Sequence, residues 1–361
     1  MTKLMEVLEL ARWAPSGDNS QPWRFAVQSE DHVVVLGSDT RRHCVYDLDG
    51  HPSQISIGAL LETIALAATR FGWRADIERR SGGSDEHPVF DVRFRPEAGL
   101  QQDPLVAQIT ERRVQRRALL RRRLASTEKS ALEAAVAPEF ACVWFEPLSE
   151  RARLARLNVA NAKIRLTLPE AYSVHRDVIE WDAQQSETRV PDSALGASRG
   201  SLRLMRWALG SWGRVSFLNR YLGGTVMPRL ELDLLPGLAC AAHCVLLAKQ
   251  PPASIDDYVA AGRALQRFWL TATALGLQFQ PQYTPLVFAR YARGGVSFTR
   301  DARRRRDAEA IRQRLDALLG SDAAQRAVFM GRIGAGAPAT ARSVRRPLRE
   351  LMVAEASSRP A

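Results

Sequence analysis

Lysine is almost absent. Four of the 51 basic residues are lysine (Lys3, Lys129, Lys163 and Lys249), so the formal net charge of +12 rests on arginine. Nucleic-acid binders pair such charge with interleaved aromatics or a reading helix. The sequence has neither, so no nucleic acid is expected among its partners, and the charge points to local anion sites instead. Cysteine is scarce too. Four cysteines in 361 residues make no disulfide scaffold, and a reducing cytoplasm is the expected location. No run of about 18 uncharged apolar residues occurs, so neither a spanning helix nor a membrane partner is expected. The opening MTKLMEVLELARWAP carries charges throughout and reads as an amphipathic helix, not a secretory leader. An apolar content of 46% excludes a disordered chain.

What is present suits two domains or one duplicated unit, at about 150 residues per domain. A helix over 4–14 stops at Pro15, and short strands follow in WRFAV and VVVL. Residues 53–72 form a core helix that Gly72 ends. Strands WRADIE and VFDVRF come next. Ser126 or Thr127 caps a helix to about 137, ACVWFEP is a strand, and 149–168 is a helix. Residues 170–230, rich in Trp, Gly, Ser and Arg with weak periodicity, read as a lid or insertion. GLACAAHCVLLAK ends in a buried strand and 255–276 is a second core helix. A charged helix starts at 300, and MGRIGAGAPATARSVRRPLREL reads as a loop-rich tail.

The two core helices repeat. Gly58–Gly72 and Gly262–Gly276 align at a shift of 204 residues with six of fifteen positions identical, Gly58/Gly262 and Gly72/Gly276 among them. A strand follows each copy. Shared composition of two core helices is the alternative, but a duplicated α/β unit, in effect a homodimer fused in one chain, is the reading preferred.

Three clusters could carry chemistry. In Ala14–Phe25, APSGDNSQPWRF, the side chains of Ser16, Asn19 and Gln21 offer donors and acceptors at close spacing, able to read the polar edge of a planar heterocycle or simply to cap a turn. Arg112, Arg113, Arg116 and Arg117 form a basic run. Extended, it puts Arg112 and Arg116 on one face, as two forks for a phosphate monoester or as a solvated surface. Arg342, Arg345 and Arg346 lie near Gly334 and Gly336, where backbone can approach a ligand. Cys240, His243 and Cys244 lie in a strand whose neighbours face opposite ways, and read as packing; no metal site is expected. His43, Cys44 and Asp47 have no further feature to support nucleophilic catalysis. Trp181, Trp207 and Trp212 could line a pocket or pack a lid.

APSGDNSQPWRF resembles the loop-and-strand signature of the nitroreductase superfamily of flavin enzymes. RRVQR at 112–116 resembles that family's phosphate motif, with Val114 in place of a serine. AGRALQRFWLTATALGLQFQP resembles its long core helix, and SVRRPLREL its closing segment, with Ser343 where a lysine is common. The order and the segment EAYSVHRDVIEWDAQQSETRVPDSAL resemble the double-nitroreductase (dormancy-associated, Acg-like) subgroup. The resemblance implies an α+β fold of mixed or antiparallel sheets flanked by helices and internally duplicated. Residues 1–100 would be the first half, with the ring loop, and 105–361 the second, with the phosphate clamp and a lid-like insertion at about 170–230. One composite FMN site is implied, with Ser16, Asn19 and Gln21 at the ring and Arg112, Arg113, Arg116 and Arg345 at the phosphate. NADH or NADPH would be the donor and a small nitroaromatic, quinone or related conjugated compound the acceptor. No protein side chain is needed as a covalent catalyst. The alternative is a flavin-binding or flavin-sequestering protein without turnover. The chain would be a pseudo-dimer, with higher oligomers open.

Overall fold

The computed structural model describes residues 2–353. Helix α1 (Lys3–Ala11) is capped by the Thr2 hydroxyl, which accepts from Met5 N at 3.3 Å. Leu4, Val7, Leu8 and Ala11 recur at helical spacing and are buried. A 3₁₀ turn (Gly17–Asn19) leads into β1 (Trp23–Ser29), which doubles back as β2 (His32–Gly37). Helix α2 (His51–Thr69), β3 (Trp73–Arg79) and β4 (Val89–Pro96) follow. Fifteen of the 19 residues of α2 are buried, as expected of a helix apolar on nearly every side. Gly72, left-handed at φ 66°, closes the turn after it. The four strands form an antiparallel sheet in the order β1-β2-β4-β3.

The second sheet takes longer to assemble. Helix α3 (Ser126–Ala134) and β5 (Phe140–Phe145) lead into α4 (Leu148–Thr167) and α5 (Pro169–Val178). Three two-residue strands come next: β6 (Ile179–Glu180), β7 (Gln185–Ser186) and β8 (Val190–Pro191). Helices α6 (Arg199–Ala208), α7 (Trp212–Tyr221), α8 (Val226–Arg229) and α9 (Leu235–Leu238) then reach β9 (Ala242–Ala248). After α10 (Ile255–Ala274) and β10 (Leu277–Pro281) come α11 (Thr284–Gly294), α12 (Ala302–Leu319) and α13 (Ser321–Arg326). β11 (Ala327–Ala335), β12 (Arg342–Ser343) and α14 (Leu348–Leu351) complete the described chain. This sheet is also antiparallel, in the order β5-β9-β11-β10.

Replacing β1, β2, β3 and β4 by β5, β9, β10 and β11 converts one strand order into the other. The core helix stands between the second and third strand in both, α2 in one and α10 in the other. The architecture is α+β, with the same unit built twice and α4 to α9 inserted into the second copy. The two core helices cross in direct backbone contact. A Cβ on Gly58 would stand 2.0 Å from Val259 O, and one on Gly262 would stand 2.0 Å from Ile55 O. The contact is reciprocal, as a two-fold arrangement requires. Glycine recurs in the repeat because no other residue lets the helices come this close. Beside it, Gln266 donates to Thr63 Oγ1 at 2.9 Å, and Arg263 and Arg267 each pair with Glu62 at 2.9 Å.

Two local expectations are corrected. MGRIGA is no loop: it lies in β11, at the centre of the second sheet between β9 and β10. Its glycines hide its strand character, yet Gly331 is required because a Cβ there would meet the Phe279 ring at 2.4 Å. Residues 170–230, expected as a lid or insertion, are mostly helix. Helix α3 is not capped by Ser126 or Thr127. Glu128 reaches back instead to Ala125 N at 2.7 Å.

Candidate functional site

A cavity of about 960 Å³ lies where the loop before β1, the 112–116 run, α4, α10, the inserted helices and the 341–346 segment meet. That is within the volume of small-molecule and cofactor sites, about 300–1,000 Å³. Ser16, Asn19, Arg112, Arg113, Arg116 and Arg345 all line it, and Gln21 does not.

The loop before β1 is strained. Asp18, Asn19 and Gln21 hold φ of 51°, 63° and 50°. Asp and Asn tolerate the left-handed region, whereas a longer side chain enters it at a cost of about 1–3 kcal/mol. Hydrogen bonds hold it there. Ser16 Oγ accepts from Gln21 N at 3.0 Å, and Gln21 Nε2 donates to Asn19 O at 3.0 Å and Glu187 O at 2.8 Å. Gln21 Oε1 accepts from Arg346 N at 2.9 Å. Asn19 Nδ2 faces four carbonyls, those of Ser186, Glu187, Arg189 and Val344, at 3.0–3.4 Å. In this structure Gln21 is therefore a tether behind the cavity wall, binding the loop to the insertion and the C-terminal segment. Asn19 does the same with its amide nitrogen, while its Oδ1 is buried without a protein partner.

Arg112, Arg342 and Arg345 lie together without an ion pair, whereas Arg113 pairs with Glu111 at 3.3 Å and Arg116 faces Asp18 and Arg165. Val114 forms a parallel bridge to Phe279, so the run is extended there. Arg112 donates to Trp13 O at 2.9 Å and lies 4.5 Å from the Trp269 ring centroid. Arg345 donates to Ala14 O at 2.9 Å and Val344 O at 2.8 Å, and Arg116 to Ala194 O at 3.1 Å. Arg113 donates to Ala339 O at 3.1 Å. Arg342 stacks over Trp13 at 4.7 Å. The Nε atoms of Arg112 and Arg342 are buried with no partner. Among the described residues none of Arg112, Arg116, Arg342 or Arg345 forms an ion pair. Burial, with Arg345 and Arg342 alongside, pushes Arg112 well below its ordinary value. Burial and the neighbouring Arg342 bring Arg345 down to about 9. Buried like charges lacking a counter-ion are costly, and an anion in their midst relieves them.

A second polar group faces the same cavity. The Tyr46 hydroxyl and His175 Nε2 are 2.8 Å apart, next to Arg165. Burial and Arg165 push His175 down to about 3. Burial raises Asp18, against the pull of Arg165 and Arg116.

The weaker sequence candidates have structural tasks. Both ring nitrogens of His243 are engaged, with Gly237 O at 2.8 Å and Gln282 Oε1 at 2.9 Å. Asp47 accepts from Thr40 and Ser53, fixing the entry to α2, and burial pushes the Cys44 thiol up to about 12. Trp181, Trp207 and Trp212 are not among the cavity residues. Sequence reasoning missed Arg165, Trp269 and Arg332 as well as the pocket-facing Asp18. Arg332, fully buried in β11, donates to the carbonyls of Arg116 at 2.5 Å and Arg117 at 3.0 Å, and so fixes the arginine run. Trp269 had a signal, since it takes the place of Ala65 in the repeat, a position where the copies diverge.

Residues 1–47 match the Nitroreductase family. A putative NAD(P)H nitroreductase, acg, of Mycobacterium tuberculosis is 34% identical over 95 residues, 26% of this chain and 28% of that one. A second putative NAD(P)H nitroreductase of that organism is 33% identical over 113 residues, 31% of this chain and 33% of that one. An uncharacterized protein of the same organism is 32% identical over 96 residues, 26% of this chain and 28% of that one. The matched stretch thus spans no more than a third of the length of these relatives. A solved nitroreductase-like family protein from Bacillus cereus aligns with a TM-score of 0.36 at 16% identity, over 70% of this chain and 95% of that one. The family match falls on α1, the strained loop and the first hairpin, and within it Pro15, Ser16, Asn19 and Tyr46 line the cavity; over this stretch the chain is similar to the nitroreductase family.

Proposed function

We propose that the chain is an FMN-dependent NAD(P)H oxidoreductase of nitroreductase type, acting on a small acceptor such as a nitroaromatic, a quinone or a related conjugated compound, and that it is of the double-nitroreductase kind. The observation that carries this reading is the group of Arg112, Arg342 and Arg345, buried or half-buried without an ion pair among the described residues, in the lining of a cofactor-sized cavity. The residues fit the group. Arg112, Arg113, Arg116 and Arg345 would hold the phosphate, with Arg342 beside them, since guanidinium forks suit phosphate oxygens. Ser16, Asn19 and the strained backbone around them would orient the ring, and Gln21 would keep that loop in shape. A flavin supplies hydride chemistry that no side chain offers, between NADH or NADPH and a second small molecule.

This chain's residues then bind, orient and exclude water. Val178, Ile179, Met205, Leu209 and Val215 of the insertion line the cavity with apolar surface, which keeps water from the reacting atoms. The same cover supports a second reading, a protein that holds flavin without turnover. One preparation separates the two. Purified protein should show flavin bands near about 370 and about 450 nm. The enzyme should oxidise NADH or NADPH when a nitroaromatic or quinone is added. Yellow protein inert to both donors would leave the flavin-holding reading, and protein without flavin after saturation with FMN would end both.

A further inference from the structure

The inserted helices turn a basic and apolar face to solvent. Among the described residues, eight of the twelve exposed large hydrophobic side chains fall between 204 and 235. Trp207 on α6, and Phe217 and Tyr221 on α7, are 48%, 52% and 63% exposed, and α7 has no buried residue. The outer face is not isolated side chains: Arg214 stacks on Trp207 at 5.0 Å, and the Phe217 and Tyr221 rings are 5.3 Å apart. Six arginines and no acidic residue occur from Ser193 to Leu230. Arg206 pairs with Asp182 and Arg229 turns inward to Val159 O. Arg199, Arg203 and Arg220 are exposed and form no ion pair among the described residues.

We propose that α6, α7 and the turn after them dock on an anionic lipid surface, with Trp207, Phe217, Tyr221 and Leu222 at the acyl boundary and the arginines among the headgroups. Three features support a lipid surface over a second copy of the chain. An isologous contact would set the same arginines against each other, and the acids at the face are already engaged, Asp182 by Arg206 and Glu231 by Ser198. Amphipathic helices with Trp, Phe and Leu beside Arg suit the bilayer interface, where aromatic rings rest at headgroup level. Short helices held by the rest of the fold can lie in that plane without spanning it, so the expectation of no membrane partner, which rested on the lack of a spanning segment, does not bear on such a contact. No helix among the described residues is long and apolar enough to cross a membrane. The proposal is independent of flavin.

The full chain should float with vesicles containing phosphatidylglycerol, with a blue shift of tryptophan emission, and should remain free with pure phosphatidylcholine. Replacing Arg199, Arg203 and Arg220 together by Gln should weaken binding about a hundredfold, near fivefold per arginine. Leu204→Ser with Tyr221→Ser should weaken it as well. The triple change Arg303→Gln, Arg306→Gln and Arg314→Gln, on exposed positions of α12, serves as control and should leave binding intact. Circular dichroism establishes that each variant is folded. Equal or absent binding to the two lipids overturns the proposal, and so does equal loss in the α12 variant. A dimer that dissociates in the Leu204/Tyr221 variant would overturn it too, by assigning the face to self-association.

Discussion

Asn19 and Gln21 each donate a side-chain amide to carbonyls of a distant segment, and Gln21 also accepts from Arg346 N. Losing such a bond leaves a buried carbonyl unpaired, at roughly 1–3 kcal/mol when no water replaces the donor. Asn19→Ala should therefore lower the unfolding free energy by about 1–3 kcal/mol, and hydrogen exchange at 186–189 should accelerate before exchange in α2 does. Unchanged exchange there would mean that the tether carries no load. His175 provides a pH test. Its folded value, near 3, is below its unfolded value, so the unfolded chain binds the extra proton between the two. The stability gained by burying it neutral is complete above about pH 6.5 and is lost as pH falls toward 3. His243, at about 4, acts in the same direction, whereas Asp233, raised to about 6, acts in the opposite one. The informative quantity is the difference between wild type and His175→Gln: the variant should lose less stability between pH 6.5 and 4.5. Parallel curves would contradict the assignment. At this scale the sequence was readable where chemistry was local, as in APSGDNSQPW. Arg332 was not readable, because its partners are carbonyls more than two hundred residues away in the chain.

Helices α2 and α10 meet at two glycines, and a methyl group at either would strike a carbonyl oxygen of the other helix. Gly58→Ala and Gly262→Ala should each cost about 3 kcal/mol or more in urea unfolding, at or beyond the usual range for overpacking. Gly200→Ala, on α6 with open space around it, should be neutral or slightly stabilising. If all three behaved alike, the crossing would not be the close contact described. The repeat predicted this pairing without predicting its geometry, since identity at Gly58/Gly262 marks a constraint and not a distance. The inserted helices were hidden for a different reason. Their apolar residues face both the cavity and solvent, so no single stripe of period 3.6 stands out. β11 was hidden by Gly331 and Gly334, which make way for Phe279 and for the backbone at Ala241.

Across the whole molecule, the duplicated units are alike in strand order and unlike at the site. Eleven residues, 12–22, join α1 to β1, and they contain the strained loop. Five residues, 135–139, join α3 to β5 at the matching place. The second copy has no room for an equivalent loop, so one FMN per chain is the expected ratio, and a ratio of two by absorbance against protein concentration would refute the composite site. The central claim is that buried, unpaired arginines select a phosphate. It is tested most directly by titrating the flavin-free protein with FMN and with riboflavin, in wild type and in Arg112→Ala and Arg116→Ala. Each charge-assisted bond contributes about 1.5–3 kcal/mol, so each variant should lose roughly 10- to 150-fold in affinity for FMN and little for riboflavin. Equal weakening of both ligands, or a wild type that binds them equally well, would contradict it.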